Sequence, residues 1–137
     1  MKVLVDTNVL LDVALRREPF FATSDAVVRW CENHPGGGFV AWHTLSNLYY
    51  VLRKAKGEAA ARGFMESVLK IFEVAPTGTP AAKQALRLGV TDFEDALQIS
   101  AALAAGADVI VTRDGADFAS SPVLVQMPEV FFAAAPR

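Results

Sequence analysis

Four aspartates stand where α/β proteins commonly do chemistry. Asp6 ends an apolar run at Val3–Val5, Asp114 lies two residues beyond another at Val109–Thr112, and Asp92 and Asp95 open a helical segment three residues apart. In open α/β sheets a ligand sits outside the carboxyl ends of the strands, where the winding direction reverses. If the first and fourth strands are neighbours, Asp6 and Asp114 converge there. Asp92 and Asp95 share one face of a first helical turn, whose positive end points at the same rim. Like charges about 4 Å apart repel by about 4 kcal/mol at an effective dielectric near 20, so such carboxylates require partial protonation or a hard divalent cation. With oxygen donors only, Mg²⁺ or Mn²⁺ is the matching ion. Such a centre performs phosphoryl chemistry by lowering the pKa of water, orienting a phosphate and stabilising the departing oxygen. The plainer reading is that each aspartate alone is a helix cap or turn residue, a claim strongest for Asp92. Asp12, Asp25, Asp108 and Asp117 read as solvated or turn residues.

The elements that must position these acids follow from periodicity. Val3–Val5 reads as a buried parallel strand. A short helix from Asn8 closes before Pro19, and a second carries Ala26, Val27, Trp30 and Cys31 on one side until His34-Pro35-Gly36-Gly37-Gly38 turns the chain. Phe39–Trp42 reads as strand two. Leu45, Leu48, Tyr49 and Leu52 then repeat at helical spacing from about Thr44 to Lys56. Phe64, Met65, Val68 and Leu69 continue in helix into Ile71–Ala75, taken as strand three. Thr79-Pro80 opens a helix ended by Gly89. Thr91 with Glu94 makes a capping box for a helix reaching Ala105, with Gly106 just beyond. Val109–Thr112 and Val123–Val125 are strands four and five, and Pro128 begins a short terminal helix. Alternating strands and helices predict a three-layer α/β/α fold with a parallel sheet.

The 137 residues, 53% hydrophobic and 20% charged, suit a single domain over 1–137 that needs no structural metal. A net charge of −2 argues against an abundant nonspecific nucleic-acid binder but leaves room for a local basic patch. The single cysteine, Cys31, cannot form an internal disulfide, and Asp6 interrupts the N-terminus too early for a secretory signal, so the cytoplasm is expected. No apolar run is long enough to cross a membrane, despite a mean hydropathy of +0.30.

Asp6-Thr7-Asn8 after the first strand, Asp92-Phe93-Glu94-Asp95-Ala96-Leu97 opening a late helix, and Val111-Thr112-Arg113-Asp114 followed by Asp117-Phe118 together resemble the PIN-domain family of metal-dependent ribonucleases. The resemblance runs from end to end. It implies a five-stranded parallel sheet of order 3-2-1-4-5, Asp6, Asp95 and Asp114 as the catalytic, metal-binding acids, and Asp92 as a further metal-binding acid. It further implies Mg²⁺- or Mn²⁺-dependent endonucleolytic hydrolysis of RNA by metal-activated water, a homodimer, and the toxin half of a toxin–antitoxin pair. Asn8, Asn47 and Thr112 would line the site. Asn47 stands where the family usually has a glutamate, so it offers a carbonyl oxygen without charge. The alternative is therefore a catalytically weak or inactive PIN-like domain that binds RNA or protein.

Arg113, near the acids, is the better phosphate-contact residue. Arg53 and Lys54, with Lys56, Arg16 and Arg17, either follow an RNA backbone or, for the residues from 53 to 56, compensate a helix dipole. The glycine run lacks the Lys-Ser/Thr of a nucleotide loop, and no Gly-x-Ser-x-Gly occurs. Cys31, His34 and His43 lack a fourth zinc ligand. A haloacid-dehalogenase-like phosphatase would need an acid where Asn8 stands, and a phosphorelay receiver would need an aspartate near Ala75. Phe20, Phe21, Phe131 and Phe132 are either core or partner contacts.

Overall fold

The computed structural model describes residues 1–137. The chain runs β1 (Val3–Val5), α1 (Thr7–Ala14), α2 (Phe21–Asn33), β2 (Gly38–Val40), α3 (Trp42–Lys56), α4 (Glu58–Ile71), β3 (Glu73–Val74), α5 (Thr79–Arg87), α6 (Phe93–Ala105), β4 (Val109–Val111), a 3₁₀ turn (Gly115–Phe118), β5 (Leu124–Gln126) and α7 (Pro128–Ala134). All strand pairs are parallel, and the sheet order is β3-β2-β1-β4-β5. This is the predicted order. It makes β1 and β4 neighbours, with Val3 opposite Val109 and Val5 opposite Val111.

Strand side chains alternate between faces and build two cores. Val3, Val5, Val109 and Val111 face one way and pack with Val9 and Leu10 of α1, Val27, Trp30 and Cys31 of α2, Leu48 of α3, Val68 of α4 and Phe131 of α7. Leu4 and Ile110 face the other way and meet Ile99, Ala101, Ala102 and Ala105 of α6 with Phe118 and Val123. Because β1 and β4 are covered on both faces, they read as continuous apolar runs rather than alternating ones.

Several boundaries differ from the periodicity reading. Gly38 belongs to β2 rather than to the turn before it. Trp42 begins α3 instead of ending β2: Val40 is the last residue paired to β3, Ala41 is extended, and the Ala41 carbonyl accepts from the Thr44 amide. Ile71 belongs to α4 and packs against the first core, leaving Glu73–Val74 as β3. β5 shifts one residue, to Leu124–Gln126. Gly78, not Thr79, is the N-cap of α5, without a side-chain cap. In α6 the cap is Asp92, whose Oδ1 accepts from the Asp95 amide at 3.2 Å, so Thr91 and Glu94 form no capping box. Gly106 ends α6 in the left-handed conformation, φ 67°, as its sequence position predicts. No helix is long and apolar enough to cross a membrane.

Candidate active site

The site lies at the carboxyl ends of β1 and β4, where the chain, having wound β1-β2-β3 to one side, crosses over to lay down β4 and β5. Asp6 links β1 to α1 as its N-cap. Its amide donates to the Val111 carbonyl, which fixes it against β4. Its carboxylate accepts from three donors: the Thr7 amide at 2.7 Å and Gln98 Nε2 at 3.0 Å on Oδ1, and the Thr112 hydroxyl at 2.7 Å on Oδ2.

Thr112 is fully buried and ties two acids together. While donating to Asp6, its Oγ1 accepts from the Asp114 amide at 3.1 Å and from Asn8 Nδ2 at 3.4 Å. Asn8 Nδ2 also donates to Asp114 Oδ2 at 2.9 Å. The structure thus brings together Asp6, Asn8, Thr112 and Asp114 from both sides of the β1/β4 seam.

α6 delivers the remaining acids from above. Burial pushes the Asp6 carboxyl up to about 6, with Asp114 and Glu94 adding to the rise and the Thr112 and Thr7 bonds opposing it. Asp95 is also pushed up to about 6, by burial first and then by the charges of Asp92, Asp6, Asp117 and Glu94. These mutual perturbations show a clustered negative potential. As placed, no three His, Cys, Asp or Glu side chains close a cage around one ion. The donor set nevertheless fits a hard cation, because Mg²⁺ is held by one or two carboxylates and keeps several waters. Asp6, Asp95 and Asp114 are the groups available for that, all with oxygen donors. Asp92 is engaged as the α6 cap.

Three readings change here. Asp12 is not a solvated residue: it is fully buried, accepts from Ser24 at 3.0 Å, and binds Arg113 through Nε at 2.6 Å and Nη2 at 3.1 Å. Arg113 is consequently not a free phosphate contact; its guanidinium also lies 3.9 Å from the Phe20 ring centroid. Arg53 and Lys54 sit in the last turn of α3, and Arg53 is nine residues beyond Thr44, roughly 13 Å along the axis at the helical rise. They do not join the acids. Asp117 is an exposed residue of the 3₁₀ turn, as its sequence reading has it, and its charge adds to the rise at Asp95.

Asn47 lines the approach, but through Glu94: its Nδ2 donates to Glu94 Oε1 at 2.9 Å. A glutamate from the neighbouring helix therefore carries charge beside the position where Asn47 has none. Glu94 went unnoticed because its place in a capping box explained it away. Gln98 was also missed. It is fully buried and donates to Asp6, to Thr44 Oγ1 at 3.1 Å and to Thr7 Oγ1 at 3.4 Å, while Thr7 and Thr44 bond each other at 2.9 Å. The available signal was a lone amide three residues after Asp95, on the same helix face as that acid.

A family model described as PIN domain matches residues 2–116. Comparison with curated protein sequences gives no match. Among solved structures, the chain resembles VapBC from Salmonella typhimurium, a DNA-bound complex, with a TM-score of 0.72 at 18% identity over 93% of this chain and 98% of that one. It also resembles Mycobacterium tuberculosis VapC20, a sarcin–ricin-loop-cleaving toxin, with a TM-score of 0.69 at 18% identity over 87% and 95%. PAE2754 from Pyrobaculum aerophilum aligns with a TM-score of 0.67 at 22% identity over 97% and 93%. The family model covers most of the chain, the strand order is the one expected of it, and the chain belongs to the PIN-domain family.

Proposed function

We propose that this chain is a Mg²⁺- or Mn²⁺-dependent endoribonuclease and the toxin of a toxin–antitoxin pair. The observation that carries the reading is the Asp6–Thr112–Asn8–Asp114 network, which holds two carboxylates at one strand rim, with the charge of Asp6 also felt by Asp95 on α6. When bound, the cation lowers the pKa of water and neutralises phosphate charge. The chain's own residues do the positioning. Gln98, Thr112 and the Thr7 amide fix both oxygens of Asp6, and Asn8 orients Asp114. A toxin–antitoxin complex from Klebsiella pneumoniae among the structural relatives supports a protein partner, and the sarcin–ricin-loop-cleaving relative supports RNA as substrate.

The test is cleavage of a mixed RNA in Mn²⁺ against EDTA, with Asp6→Asn and Asp114→Asn. Asp114 is exposed, so its variant removes charge without disturbing the core. Cleavage is expected in Mn²⁺ alone and is lost in both variants. Cleavage persisting in EDTA or in Asp114→Asn overturns the mechanism. RNA binding without cleavage would favour the non-catalytic module, whose support is the uncharged Asn47. The toxin assignment predicts growth arrest on expression, and the homodimer predicts a two-chain mass by sedimentation.

A further inference from the structure

Beside the acids, α3, α5 and α6 enclose a cleft of about 430 Å³ that none of the roles above uses. Trp42 and His43 line it from the start of α3, Gly78 and Ala81 from the start of α5, and Leu97 and Ser100 from α6. Leu97 follows Glu94 by three residues and so lies on the same helix face one turn on. Glu94 in turn acts electrostatically on Asp6, Asp95 and His43. The cleft therefore begins about one helical turn along α6 from Glu94.

Its lining has unmet bonding capacity. Ser100, 1% exposed, has no hydrogen-bond partner for Oγ, and His43 has none for Nε2. Buried polar groups are nearly always paired, so two orphans in one lined cleft mark places for a ligand's polar atoms. Burial lowers the His43 pKa, which keeps the ring neutral with one donor and one acceptor nitrogen. α5 has no side-chain cap, leaving its first-turn amides unpaired by side chains at the Gly78 end. Finally, Trp42 is 70% exposed, whereas Trp30 is buried and stacks on His34. An exposed indole beside a mixed apolar and polar cleft matches a ligand with a flat face and a hydrogen-bonding edge.

We infer that this cleft is a nucleobase subsite, in which a base splayed from single-stranded RNA stacks on Trp42 and presents its polar edge to His43 and Ser100. The choice of RNA rests on the nuclease reading of the neighbouring acids; the base recognition rests on the cleft alone.

Binding in EDTA separates the two. Anisotropy of a labelled single-stranded RNA, together with tryptophan quenching by the four nucleoside monophosphates, reads base binding without cleavage. Wild-type protein is expected to show saturable quenching by at least one monophosphate. Trp42→Ala should weaken RNA binding roughly tenfold, with Trp42→Phe retaining most of it. Ser100→Ala should change the preference among monophosphates, and Ala81→Leu, which fills the cleft, should abolish their binding with an unchanged circular dichroism spectrum. If Trp42→Ala and Ala81→Leu bind RNA as wild type does, the inference is overturned. It is equally overturned if Ala81→Leu alters only the sedimenting mass, which would make the cleft a protein contact. Failure of Mn²⁺-dependent cleavage with monophosphate binding intact would sink the nuclease reading and leave the base subsite standing.

Discussion

At the scale of single residues, the acids place opposing demands on stability and chemistry. Asp95 binds its proton more tightly in the folded chain than in the unfolded one, because burial and its acidic neighbours disfavour the charge. Its charge therefore destabilises the cation-free protein above about pH 6, and that penalty fades as pH falls toward the ordinary carboxylate range. Asp95→Asn should raise Tm at pH 7 in EDTA, with the gain shrinking toward zero at pH 4. Thermal melts at both pH values check this, and a gain independent of pH would refute the electrostatic cause. Asn47→Glu should set a second carboxylate against Glu94, lowering Tm in EDTA while tightening Mn²⁺ binding by calorimetry; weaker or equal binding contradicts the proposed site. Asp12 belongs to a different class, because it neutralises Arg113 in a bidentate pair whose carboxylate is buried and whose guanidinium is partly exposed. Removing one partner of a fully buried pair costs about 3–5 kcal/mol, and the partial exposure of Arg113 puts this one toward the lower end. Asp12→Ala should show a loss of that order in urea unfolding.

At the scale of elements, close approach and capping decide where the rim lies. A Cβ at Gly38 would stand 2.9 Å from Cys31 Cβ, Cys31 Sγ and Phe72 Cδ1, so β2 meets α2 and the end of α4 at a spacing only glycine allows. Overpacking of this kind costs typically about 1–3 kcal/mol. Gly106 faces open space, and there only its left-handed backbone resists a side chain, at roughly 1 kcal/mol. Gly38→Ala should therefore lower Tm more than Gly106→Ala, and the reverse order would mean that α2 can move away from the sheet. In α6, Asp92 rather than Thr91 sets the first turn, which leaves Glu94 free to reach Asn47. Shifting the cap by one residue changes which acids serve structure and which face the site.

At the scale of the whole molecule, the site exists only when four separated segments meet: residues 6–8, 44–47, 94–98 and 112–114. A cation bound at the proposed site would stabilise the native state alone, by about 2.7 kcal/mol at a hundredfold excess over Kd. Mn²⁺ should raise Tm in wild type and fail to do so in Asp114→Asn; equal shifts in both would place the ion elsewhere. The local code was sufficient for much of this. Apolar β-branched runs fixed β1 and β4, helical spacing fixed α3 and α6, and Asp6 and Asp114 were legible because one directly follows a buried strand and the other comes three residues after the end of one. Helix signals at Trp42 and Ile71 were mistaken for strand, since a short apolar run looks the same in either state until its neighbours limit the pairing. Asp12, Glu94 and Gln98 were illegible for a related reason: a charge or amide in a helix takes its meaning from what packs opposite, and Arg113, Asn47 and Asp6 lie 101, 47 and 92 residues away respectively. Sequence alone determined the order of elements and the acids at strand ends, because those are set by spacing and solvent preference along the chain. Tertiary structure decided which polar groups face one another, because hydrogen bonds and charge interactions act over a few ångströms of space whatever their separation in sequence.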